Sequence, residues 1–134
     1  MLEELLDKIC MELDLPVPKM QNDKSYSLQI APGIAISQKN LQPGIYFHAR
    51  VRAMPKEKTN ELLTMLMKAN MLGQAAFGGT LGLDESGKNI TLAFSFPYEI
   101  DFSTYKNTLE NLVNALCYWQ EEIERFMQQK PQPK

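Results

Sequence analysis

Few residues in this chain are of a type and spacing that could carry chemistry. The run Gly73-Gln74-Ala75-Ala76-Phe77-Gly78-Gly79-Thr80 imitates the glycine spacing of a phosphate-binding loop. Such a loop needs a lysine to reach the phosphates and a helix N-terminus behind it. Here Gly79 stands at the lysine position. The flanking patterns also place a helix before the run and a strand after it, which reverses the required order. The run reads as a helix terminator and turn.

His48 is the only histidine. Histidine catalysis needs a nucleophile or carboxylate beside it, and a metal site needs several ligands. Between Tyr46 and Arg50, His48 reads as a surface or interface residue. Asp84 and Glu85 are paired carboxylates, but their place at a hairpin tip predicts turn chemistry and not acid–base work. Glu121, Glu122 and Glu124 beside Arg125 predict a solvated helix face. Tyr46, Arg50 and Arg52 form a thin aromatic-basic set of the kind that stacks single-stranded nucleic acid. Asn89-Ile90-Thr91 matches a glycosylation acceptor, which has no meaning without a secretory signal. Cys10 and Cys117 lie far apart and form no CxxC pair, so reduced thiols are expected. No catalytic constellation, metal site or cofactor site is expected.

The 134 residues fit one domain, and 44% hydrophobic with 22% charged residues is ordinary for a globular protein. The net charge of −2 and a pI of about 5.4 lack the footprint of a nucleic-acid binder. The start, Met1-Leu2-Glu3-Glu4-Leu5-Leu6, mixes acids with leucines and does not read as a signal peptide. No apolar run approaches a membrane span.

The elements that must position these residues follow from periodicity. Leu2, Leu5, Leu6, Ile9 and Leu13 predict a helix over 2–13, ended by Pro16 and Pro18. Alternation predicts strands over 25–30 and 33–37, with a turn at 39–44. Ile45, Phe47, Ala49 and Val51 predict one face of a third strand, 45–52, with Tyr46, His48, Arg50 and Arg52 on the other. A second helix is expected from Pro55 to about Leu72. Its stripe of Leu62, Met65, Leu66, Ala69 and Leu72 is widened by Leu63, Met67 and Met71, which asks for cover on more than one side. The methionines Met54, Met65, Met67 and Met71 suit a core, a subunit seam or an adaptable binding surface. Strands over 80–84 and 89–96 form a hairpin around Gly87. A last helix over 103–127 is capped by Asp101 or Ser103. The expected fold is a single α+β domain over 1–127, helix, three strands, helix, two strands, helix, with an antiparallel sheet and a polar tail over 128–134.

The string Gly79-Thr80-Leu81-Gly82-Leu83-Asp84-Glu85-Ser86-Gly87-Lys88 is followed by an alternating strand and Phe96-Pro97. An acidic-hydrophobic helix start, 99–105, and a stripe ending in Tyr118-Trp119 come next. This pattern, with the element order, resembles the class I type III secretion chaperones, the Tir-chaperone family. The resemblance implies a cytoplasmic, non-enzymatic dimer, with itself or a related small chaperone, that holds an extended segment of a secreted client in export-competent form. It implies a seam on the second helix, at Leu62, Met65, Leu66 and Met67. It also implies client contacts on the first helix and early strands, at Leu5, Ile9, Leu28, Ile30, Ile34 and Ile36. A second reading is a regulator that binds a transcription or secretion component through the Tyr46-His48-Arg50-Arg52 face. Neither nucleic acid nor membrane insertion is expected.

Overall fold

The structure is a computed structural model that describes residues 2–73 and 79–129. Helix α1 (Leu2–Leu13) forms because Leu2, Leu5, Leu6, Ile9 and Cys10 recur at helical spacing and bury together. Glu3 and Glu4 sit in its first turn, where the helix dipole favours anions. It ends at Asp14, which adopts the left-handed conformation (φ 55°). The Leu15 N–H then donates back to the Cys10 carbonyl at 2.9 Å, a Schellman-type stop.

Strands β1 (Ser25–Ala31), β2 (Ile34–Asn40), β3 (Ile45–Ala53), β4 (Thr80–Leu83) and β5 (Asn89–Phe96) form one antiparallel sheet in the order β1-β2-β3-β5-β4. Cross-strand partners point to the same side of a sheet. The registers therefore align Leu28, Ile36, Ala49, Leu92 and Leu81 in one row across all five strands. Every member of the row is buried. Burying an aliphatic side chain contributes about 1.5–3 kcal/mol, so this row fixes the register of the whole sheet. The opposite face carries Tyr46, His48 and Arg50 on β3, as the alternation predicts. Arg52 departs from it: a bulge between Arg50 and Arg52 sets Arg52 opposite the buried Ile90, on the apolar side, where it reaches Glu124.

Helix α3 (Phe102–Gln128) lies across the apolar face. Asp101 caps it, its side chain accepting from the Thr104 N–H at 2.8 Å. Tyr105, Leu109, Leu112, Leu116, Trp119 and Ile123 bury along one stripe. The Tyr105 ring packs 6.1 Å from Phe47, and Gln120 Nε2 donates to the Val51 carbonyl at 2.9 Å, so the helix follows β3. On one flank, α1 lies over β1. Tyr26 Oη donates to Glu3 at 2.9 Å, and Lys106 pairs with Glu12 at 3.0 Å. On the other flank, helix α2 (Thr59–Met71) packs against β4 and buries Leu62, Leu66 and Ala69.

The expected order of elements and the single α+β domain are present. Two boundaries differ. The second helix starts at Thr59 and not at Pro55, because Lys58 is left-handed (φ 56°) and cannot continue a helix. The second strand runs on to Asn40, where a turn was expected from Lys39. Asn40 looked like turn chemistry, yet Lys39 and Asn40 pair with Tyr46 and Ile45 in the ladder. The turn is confined to the four residues that follow. There Gly44 (φ 106°) approaches the Phe96 carbonyl so closely that a Cβ would lie 1.9 Å from its oxygen. Most of the glycine run after α2, residues 74–78, and residues 130–134 of the tail lie outside the described residues.

Gln38 is a polar residue inside the apolar face. It is fully buried, and its Oε1 accepts from the Tyr105 hydroxyl, while Nε2 has no partner among the described residues. Tyr105→Phe strands the whole amide. The expected cost is about 1–3 kcal/mol, read as a lower urea midpoint with an unchanged m-value.

The β4–β5 turn is held by Asp84. Its carboxylate accepts from the Asn89 amide at 2.7 Å and the Ser86 hydroxyl at 2.8 Å, which lowers its pKa to about 2. The folded pKa lies below the unfolded one, so the contribution is present above the unfolded value and is lost as pH falls toward 2. Asp84→Asn should lower the urea midpoint at pH 7, and most of that difference should be gone at pH 2, where the folded carboxylate is about half protonated.

Candidate functional site

Because α3 lies along the middle of the sheet, it leaves a groove on each flank. The groove beside α1 is the more apolar. Ile9 and Leu13 of α1, Ile30 of β1, and Leu109 and Val113 of α3 line a cavity of about 390 Å³. Lys106, Glu110 and Asn114 form its rim. A cavity of this size takes one or two apolar side chains of a bound chain. Ile30 reaches it from a β-bulge, where the β1–β2 register shifts between Gln29 and Ala31.

The outer edge of β1 borders this groove. Ser25 turns its backbone outward, its N–H donating to Asp23 Oδ1 at 3.1 Å and its carbonyl accepting from Gln21 N–H at 2.8 Å. Outward groups alternate along an antiparallel edge, so Ser27 and Gln29 face outward as well. Among the described residues β1 has a neighbouring strand on one side only. Its outward N–H and C=O groups at Ser27 and Gln29 are available to another strand.

The second groove, about 470 Å³, lies between α2 and α3. Met65, Leu72, Tyr118 and Phe126 supply its apolar surface, and Glu61, Lys68 and Glu122 its charges. Met67 and Met71, four residues apart on α2, are 69% and 80% exposed.

The six sequence-expected client residues separate by burial. Leu5, Leu28 and Ile36 are spent on the chain's own core and have no surface to offer. Ile9 is buried too, but forms the cavity floor. Ile30 and Ile34 keep partial exposure against the core. Among the seam residues, Leu62 and Leu66 are interior to the protomer, Met65 is half-buried, and Met67 is exposed. Leu62 and Leu66 are buried within one protomer, which the helical stripe did not distinguish from packing against a second subunit. Leu13 and Leu109 were legible only as members of helix stripes, and Val113 was not singled out at all. Their convergence depends on how α1 crosses α3.

The groups with chemical potential are spoken for. His48 stacks on Tyr46 with ring centroids 6.1 Å apart. Arg52 pairs with Glu124 at 2.8 Å, and Arg50 donates to Asn89 Oδ1 at 2.6 Å. The Tyr46-His48-Arg50 face, which the bulge deprives of Arg52, therefore offers a partner less free charge than its sequence suggests. Burial pushes the Cys10 thiol up in pKa, with Asp7 adding to the shift, so its reactive thiolate is disfavoured. Among the described residues no cluster of His, Cys, Asp and Glu could hold a metal ion. No helix among them is long and apolar enough to cross a membrane.

A family model for the Tir chaperone protein (CesT) family matches residues 4–120. The chain belongs to that family. No curated protein sequence is similar enough to count as a relative. Solved structures share the fold at low identity. The ExsC–ExsE complex is 18% identical with a TM-score of 0.75, covering 90% of this chain and 91% of that one. The HopA1–SchA chaperone–effector complex is 18% identical with a TM-score of 0.67, covering 90% and 93%. The Yersinia pestis type III secretion chaperone SycH, solved with a stable fragment of YscM2, is 12% identical with a TM-score of 0.64, covering 88% and 98%.

Placement on α2 yields a direct test. Leu62→Asp puts a charge into a fully buried site and should cost about 4 kcal/mol or more, seen as loss of the far-ultraviolet helix signal. Met67→Asp with Met71→Asp should leave that signal intact and alter only the molar mass in light scattering.

Proposed function

We propose that this protein is a cytoplasmic, non-enzymatic chaperone of type III secretion. It binds an extended segment of a secreted client and keeps that segment unfolded and fit for export. The observation that carries this reading is the apolar α1–α3 groove lying directly beside the unpaired outer edge of β1. A client segment adds as a strand on β1, pairing with Ser27 and Gln29. Its side chains then alternate between solvent and the groove, because strand side chains have a period of two. The groove side chains give affinity, and the backbone pairing gives register without demanding one sequence.

The family and the ExsC–ExsE, HopA1–SchA and SycH complexes support the reading, since each of those chains of this fold was solved with a bound partner. No step of covalent chemistry is needed. The chaperone lowers the free energy of an extended client and masks its apolar residues. Ordering a disordered segment costs several kcal/mol, so the contact must be long and largely apolar. A second chaperone subunit enlarges the surface the client can wrap. The seam lies on the exposed side of α2, where Met65, Met67, Met71 and Leu72 supply adaptable apolar surface. Its partner is a second copy or a related small chaperone.

Affinity capture from the native bacterium with mass spectrometry should return a secreted protein in stoichiometric amount. Val113→Glu places a charge at the groove wall without entering the fully buried core, so the variant should fold. It should weaken client binding by about 2 kcal/mol, a roughly 30-fold rise in Kd by titration calorimetry. Recovery of RNA polymerase subunits with no secreted protein would replace this reading with a transcriptional one.

A further inference from the structure

The two edges of the sheet are treated differently. β1 is open at Ser27 and Gln29, as described. At the other edge, the Asn70 side chain of α2 meets the backbone of Leu81 twice. Asn70 Nδ2 donates to the Leu81 carbonyl at 2.7 Å, and the Leu81 N–H donates to Asn70 Oδ1 at 2.8 Å. One side-chain amide thus does what the facing peptide groups of a neighbouring strand would do. It presents one of its two N–H donors and its carbonyl oxygen in one plane, both aimed at a single residue.

The ladder shows that Leu81 is an outward position. Asp84 N–H donates to the Asn89 carbonyl, so Asp84 and, by alternation, Gly82 face β5, while Leu81 and Leu83 face away from it. β4 is only four residues long. With Leu81 occupied, Leu83 is the one outward position left within it. A single remaining pair does not support an added strand.

We infer that Asn70 closes the β4 edge to strand addition and so makes the sheet one-ended, with β1 as its sole acceptor of an extended chain. The consequence is architectural. A sheet open at both edges could join β1 of one molecule to β4 of the next. That contact is head-to-tail and does not close, so it would propagate as a fibre. A protein that must offer one open edge to a client needs the other edge shut. Asn70 meets that need from a helix already packed against β4, with Leu62, Leu66 and Ala69 buried. This inference extends the reading that a client strand pairs at β1. Its test uses the chain alone, so it can fail while client binding stands, and the reverse.

The experiment compares the purified protein with Asn70→Ala by light scattering across a concentration series and by hydrogen exchange resolved at the Leu81 amide. The variant should exchange Leu81 at least about tenfold faster and should grow in mass with concentration beyond the unmodified protein. Adding Leu83→Lys, a charge at the remaining open position, should return the mass to that of the unmodified protein without restoring Leu81 protection. That pattern separates edge pairing from aggregation caused by lost stability, which Leu83→Lys would not cure. If Asn70→Ala does not fold by circular dichroism, Asn70→Asp decides. It keeps the acceptor for the Leu81 N–H but loses the donor, and growth in mass that Leu83→Lys suppresses supports the edge lock. A folded variant with the unmodified mass at every concentration overturns it, as does growth that Leu83→Lys leaves unchanged.

Discussion

The stripe of α3 pressed along the inner face of the sheet is the interaction on which the other features depend. Tyr105 against Phe47 fixes one end, and Gln120 on the Val51 carbonyl fixes the other. Between them Leu109, Leu112, Leu116 and Trp119 are buried over the apolar row. A single helix is too narrow to cover five strands. What it leaves uncovered on either flank is taken by α1 over β1 and by α2 beside β4. The two grooves are the seams of that arrangement, so the binding surfaces come from the same packing that stabilises the fold.

The seams differ in chemistry, and this divides their roles. Beside α1, apolar walls adjoin backbone groups at Ser27 and Gln29 that lack a neighbouring strand. That combination suits an extended chain, which brings its own unpaired amides and carbonyls. Beside α2, the surface is rich in methionine and its strand edge is already occupied by Asn70. Such a surface suits packing against another folded subunit more than strand addition. One protomer thus separates client recognition from assembly across the width of its sheet.

Much of this was legible in the sequence because periodicity reports burial. The alternation of Ile45, Phe47, Ala49 and Val51 identified the inner face, and the stripe from Tyr105 to Ile123 identified α3. Local turn signals were less reliable. Asn40 reads as a turn residue, but ladder pairing with Ile45 outweighs that preference. Pro55 reads as a helix start, but the left-handed Lys58 delays it. The candidate site was the least legible part. A helical stripe or a strand alternation shows that Leu62 or Leu28 is covered, and does not show whether the cover comes from the same chain or another. Both are covered by their own protomer. The groove residues Leu13, Ile30 and Val113 come from three elements whose crossing is a tertiary fact. Asn70 carries no sequence signal, since its function rests on two bonds to a strand eleven residues away.

The central claim is that an extended client segment pairs with β1 and fills the α1–α3 groove. Hydrogen exchange of the chain with and without its captured client, resolved at single amides, tests it most directly. The account predicts new protection at Ser27 and Gln29, with that of Leu81 unchanged. Unaltered exchange along β1 in a complex whose protection falls on the Tyr46-His48-Arg50 face would contradict it.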